Sequence, residues 1–60
     1  MNIGDKVIVI SGTMTEEEGY HDFTVGDIVI IIKIDKYIHC QNIEGIIQKL
    51  EKEDIKLYGN

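Results

Sequence analysis

The chain has 60 residues, with eleven acidic residues against six lysines, no arginine and a net charge of −5. That length supports one domain, residues 1–60. So small a domain buries only about 60% of the surface its unfolded chain exposes and needs help beyond its own core. A single cysteine, Cys40, excludes an internal disulfide, and no Cys/His cluster has zinc spacing, which leaves oligomerisation as the expected stabilising device.

The charge also bears on partners. Arginine supplies the bidentate fork that phosphate recognition favours, and this acidic chain has none, so nucleic-acid binding is disfavoured and a basic protein partner is favoured. Met1-Asn2-Ile3-Gly4-Asp5 lacks the basic start and sustained apolar run of a secretory leader. No apolar run approaches the roughly 18 residues that span a bilayer. The expected location is cytoplasmic, in keeping with a lone thiol.

In chain order, Gly4-Asp5 signals a turn, and Lys6-Val7-Ile8-Val9-Ile10 reads as the first strand, closed by Ser11-Gly12. Residues 11–25 form a long connection. Thr15 with Glu18 resembles a capping box, but Gly19 follows at once and limits any helix to one turn. Phe23 and Val25 alternate with Thr24 and are expected to tuck inward. Gly26-Asp27 then repeats the turn signal before Ile28-Val29-Ile30-Ile31-Ile32-Lys33-Ile34. The stiff, β-branched side chains of that run favour a central strand. Asp35-Lys36 reverses the chain into Tyr37–Asn42, where Ile38 and Cys40 share one face and Tyr37, His39 and Gln41 the other. Asn42-Ile43-Glu44-Gly45 is a hairpin turn with glycine at its end. Ile46–Leu50 is the fourth strand, Glu51–Asp54 a single 3₁₀ turn, and Ile55–Tyr58 the fifth strand.

Five short strands, a long first loop and a 3₁₀ turn before the last strand resemble the small SH3-like proteins of phages and bacteria. Gly4-Asp5-Lys6-Val7, Phe23-Thr24-Val25-Gly26-Asp27-Ile28-Val29, Cys40-Gln41-Asn42 and Glu53-Asp54-Ile55-Lys56-Leu57 carry the resemblance. It implies an all-β fold, a single five-stranded SH3-like small barrel. Lys6–Gly12 is similar to the opening of a KOW motif, as found in ribosomal and transcription proteins. Here the loop continues as Thr13-Met14-Thr15-Glu16-Glu17-Glu18, where that family is basic. The aromatic ladder of peptide-binding SH3 domains is missing: the chain has no Trp, and Asp54 stands where a Tyr is expected.

The family pattern directs Val7, Val9, Val29 and Ile31 to the core, followed by Ile32 and Ile34 after a bend. Ile8 and Ile30 occupy positions that are normally polar and exposed. They mark either an oligomer or docking face, which Ile10, Ile28 or Ile47 would extend, or a face covered by the first loop. Glu16, Glu17, Glu18, Tyr20, His21 and Asp22 form either a partner-binding loop or a solvated one. Tyr37 and His39 read as cross-strand packing, or as a platform for stacking a nucleotide ring with Lys33, Lys36 or Lys49 near its phosphate. His39 and Cys40 are adjacent on a strand and point apart, so they form neither a metal pair nor a nucleophile and base.

These features point to a non-enzymatic binding protein without metal or cofactor. The leading reading is a phage-type accessory protein that inhibits or redirects a host macromolecule. The alternatives are an oligomeric nucleotide-sequestering protein and a KOW-like ribosome- or transcription-associated module.

Overall fold

A computed structural model describes residues 1–11 and 23–59. It contains five strands and one 3₁₀ turn: β1 (Lys6–Val9), β2 (Ile28–Ile34), β3 (Ile38–Gln41), β4 (Ile47–Leu50), η1 (Lys52–Asp54) and β5 (Ile55–Leu57). All pairings are antiparallel, and the sheet order is β4-β3-β2-β1-β5.

The expected barrel is corrected to an open sheet. β4 and β5 are its two edges, and no ladder joins them. The chain passes between them through η1, which is tied to the end of β1 rather than to a neighbouring strand. The Ile10 N–H donates to the Asp54 carbonyl at 2.8 Å, and the Ser11 hydroxyl donates to Asp54 Oδ1, also at 2.8 Å. The sheet still curls enough to gather one core from every strand: Val7, Val9, Val29, Ile31, Cys40, Leu50 and Ile55, with Phe23 closing it. Alternation accounts for the choice. Each of these strand residues lies on one pleat face, and the neighbours between them point away.

β1 and β2 open on the same local structure. In Asn2-Ile3-Gly4-Asp5 and Thr24-Val25-Gly26-Asp27, the aspartate N–H donates to the carbonyl three residues back, at 3.0 and 2.9 Å. Its carboxylate accepts the N–H of that same residue, at 2.8 and 3.0 Å. The glycines at the third position have φ of 98° and 102°, as a type II turn requires and as side-chain-bearing residues avoid. Val25, expected inside, is exposed at the second position of its turn.

The bend in β2 is a register shift between Ile31 and Lys33. Ile31 pairs with Cys40 before it, and Lys33 pairs with His39 after it, leaving Ile32 as the extra residue. Ile32 is half-buried. Ile34 pairs with Ile38 but is exposed beyond the end of the core, so its expected core role is corrected. Tyr37, expected in a strand, belongs to the reversal before β3. Among the described residues no helix is long and apolar enough to cross a membrane.

Candidate interaction face

The outward side of the sheet follows from the register. Directly opposed residues in antiparallel strands project to the same side. Val7 and Val9 face the core, so Lys6 and Ile8 face out. Across from them stand Ile30 and Ile28 on β2, and Lys56 on β5 lies opposite Ile8. Gln41 continues the Ile30 row into β3 and Ile47 into β4. A further row is Lys33, His39 and Lys49.

Two expectations about this side meet the geometry. Ile30 is 41% exposed, as a contact residue must be. Ile8 is half-buried and sits beside Ile28, which is 37% exposed. Ile10 and Ile47 are exposed as well. Lys6, Ile28, Ile30, Gln41, Asn42 and Ile43 line a groove of about 330 Å³. A second depression shares Ile28, Asn42 and Ile43 with it and is bounded by Asp27 and Glu44.

Ile43 is the member that the sequence reading passed over. It lies in the β3–β4 turn and is 98% exposed. The turn that holds it out is rigidly bonded. Asn42 Oδ1 accepts the N–H groups of Glu44 and Ile46, each at 2.9 Å. The Gly45 N–H donates to the Asn42 carbonyl at 3.0 Å, and Gln41 Nε2 donates to the Gly45 carbonyl at 3.2 Å. An isoleucine in a position that usually carries a polar or turn-forming residue was the available signal.

The Tyr37–His39 site is engaged within the chain. Lys49 Nζ lies 5.1 Å and Lys36 Nζ 5.8 Å from the Tyr37 ring centroid, within cation–π range. His39 Nε2 lies 2.9 Å from Asp35 Oδ1. The Asp35 carboxyl is lowered to about 2, first by the Tyr37 backbone N–H and next by the His39 hydrogen bond. Being ionised, it can only accept, so the His39 ring donates from Nε2. Lys33 Nζ is 3.6 Å from the other carboxylate oxygen. A separate groove of about 430 Å³ includes Lys36, Tyr37 and Lys52, but Glu51 and Glu53 also line it.

Cys40 is fully buried, and burial pushes its thiol up to about 11, so at neutral pH it is an inert core side chain. Asp54, expected in the 3₁₀ turn in place of a tyrosine, is only 2% exposed. Besides Ser11, its carboxylate accepts the Glu51 N–H at 3.2 Å. Glu16, Glu17, Glu18, Tyr20, His21 and Asp22 lie outside the described residues. Comparison with family models, curated proteins and solved structures finds no match for this chain.

Proposed function

We propose that this chain is a non-enzymatic binding protein whose contact surface is the outward side of β1, β2 and the β3–β4 turn. The observation that carries the reading is the cluster of exposed Ile28, Ile30 and Ile43 around one groove. Each lies on or beside hydrogen-bonded backbone, so the apolar surface is held open rather than collapsed. A contact made there removes apolar area from water at about 25 cal/mol per Å². The strand order, with a 3₁₀ turn before the last strand, supports an SH3-like fold in spite of the open sheet. Within that likeness, the role proposed is a phage-type accessory protein that engages a host macromolecule and blocks or redirects it.

Ile30→Lys tests the reading. Ile30 projects away from the core, so the variant keeps its circular dichroism spectrum and melting temperature. Host proteins retained by the tagged wild-type chain, or self-association seen by sedimentation velocity, are lost with the variant. Unfolding of the variant would place Ile30 in the core. Full retention of every partner would place the contact surface elsewhere. Either result removes the proposal.

The nucleotide reading, with Tyr37 and His39 stacking a ring and Lys33, Lys36 or Lys49 at its phosphate, draws its support from the groove beside Tyr37, which Lys36 lines together with Lys52, Glu51 and Glu53. A thermal-shift series with nucleotides separates this reading from the first, because a ligand bound only by the folded state raises the melting temperature.

A further inference from the structure

The outward face also carries a charge pattern opposite to that of the whole chain. The five strands contain no carboxylate at all, and their four lysines are Lys6, Lys33, Lys49 and Lys56. Every one of these lysines falls on the outward side. Lys56 pairs with Ile8, Lys6 with Ile30, and Lys33 and Lys49 flank His39. The net charge of −5 therefore comes from turns and connections, two of whose carboxylates, Asp27 and Glu44, bound the neighbouring depression at Ile28 and Ile43, while Lys6 and Lys56 border the apolar strip of Ile8, Ile28 and Ile30 on its β1 and β5 side. Among the described residues, Lys33 is the one lysine of the four within ion-pair distance of a carboxylate.

We infer that this face docks an acidic, apolar segment of another protein: bulky aliphatic or aromatic side chains with Asp or Glu beside them. The inference rests on the contact-surface reading above and adds the chemistry of the occupant. The groove of about 330 Å³ takes an apolar anchor between Ile28, Ile30 and Ile43. Lys6 forms part of the same groove wall, so a carboxylate next to the anchor meets an ammonium there. Lys56 extends the cationic border beyond Ile8.

Range decides between the local and the total charge. Charges separated by more than about 8 Å are largely screened at physiological ionic strength. The molecule measures 32 × 23 × 21 Å, so a segment docked against Lys6 and Lys56 senses those lysines more than carboxylates across the molecule, and its acidic residues belong at that end of the groove, away from Asp27 and Glu44. Other occupants fit less well. A second copy placed face to face would bring both sets of lysines together with no strand carboxylate on either side. A single-stranded nucleic acid would meet isoleucines where base stacking calls for aromatic rings. Of the rings near this side, Tyr37 is already engaged by two lysines, and Tyr58, whose N–H donates to the Lys6 carbonyl at 3.0 Å, is one exposed ring and not a row of them.

The test is selection of a random peptide library on the immobilised full chain, followed by anisotropy titration of retained peptides. Retained sequences are expected to be enriched in Asp and Glu adjacent to bulky apolar residues. Lys6→Glu with Lys56→Glu should weaken them roughly tenfold. Lys6→Arg with Lys56→Arg should leave binding in place, and circular dichroism checks that both variants fold. Basic retained peptides that are lost with Ile30→Lys would overturn the acidic occupant and leave the contact face standing. Peptides indifferent to Ile30→Lys and to both lysine reversals would overturn the face itself. Tighter binding of oligo(dT) than of any acidic peptide would overturn the inference in favour of nucleic acid, and face-to-face dimers in sedimentation would overturn it in favour of a second copy.

Discussion

The β1 and β2 openings are two versions of one unit, and they differ where they meet solvent. Gly4 corresponds to Gly26, Asp5 to Asp27, Val7 to Val29 and Val9 to Ile31. The hydrogen bonds exchange accordingly. The Gly4 N–H donates to the Ile31 carbonyl at 2.7 Å, and the Gly26 N–H to the Val9 carbonyl at 2.8 Å. The Ile31 N–H donates to the Asp5 carbonyl at 3.0 Å, and the Val9 N–H to the Asp27 carbonyl at 2.9 Å. Turn and inward residues match in type because the same pleat and the same core select them. The outward residues do not match: Lys6 corresponds to Ile28. Only Ile8 and Ile30 agree there, and both are apolar where solvent would favour a polar residue. The inward half of the unit thus reports folding, and the outward half carries the proposed contact face.

The largest expected effects lie on the inward half. Ile31→Ala should destabilise the fold by about 2–5 kcal/mol through lost transfer energy and the cavity left behind. Val9→Ala removes one carbon fewer, so it should cost roughly 0.8 kcal/mol less, adjusted by how far its own site collapses. A domain of this size has roughly 3–9 kcal/mol in total. Both variants therefore need urea titration in the cold, where a folded baseline survives. A Val9→Ala variant as stable as the wild type would break the equivalence of the two units.

The units also end differently. β2 runs on through its bulge to the Asp35 reversal, while β1 stops at Val9 and is latched at Ile10 and Ser11 by Asp54. Asp54 is buried and satisfies groups from two separate parts of the chain, whereas Asp35 is exposed and serves its own hairpin. Asp54→Ala removes the carboxylate that accepts the Ser11 hydroxyl and the Glu51 N–H, and the expected loss is about 1–3 kcal/mol. Equilibrium urea unfolding measures it. A loss below half a kilocalorie, about the level of an ordinary surface change, would mean that the latch is not what closes η1 onto β1.

The same contrast explains what was legible in the sequence. Strand order along the chain, the inward face of Cys40 and the 3₁₀ turn follow from local periodicity and turn chemistry, and the core positions Val7, Val9, Val29 and Ile31 and the β2 bend from the alternation that the family resemblance implies. These rules act over a few residues, and the structure keeps them. Barrel closure, the burial of Asp54 and the exposure of Ile34 and Val25 depend on where distant segments end relative to one another. No local pattern encodes that. For the proposed contact face, the outward direction of Ile8 and Ile30 was legible from strand alternation. Ile43 and the lysine border were not, because they reach that side only through the β3–β4 turn and the cross-strand register.

The smallest expected effect concerns the exit of β2. Asp35 accepts the Tyr37 N–H at 2.9 Å and the His39 ring at the same distance, and its folded value near 2 lies below the ordinary 3.8. Between these values the unfolded chain binds more protons at this site than the folded one, so stability there rises with pH. The contribution is complete above about pH 4 and is lost as pH falls through about 2. Because Asp35 is exposed and screened, the effect on unfolding is small. Carboxyl carbon shifts followed by NMR should put the Asp35 midpoint near 2. The stability gap between wild type and Asp35→Ala should narrow over the same acid range. An unshifted midpoint would mean that the hairpin does not hold its hydrogen bonds in solution. The Tyr37–His39 surface would then be free of the contacts that now occupy it, and the exit of β2 would be as open to a ligand as the outward face of its entrance.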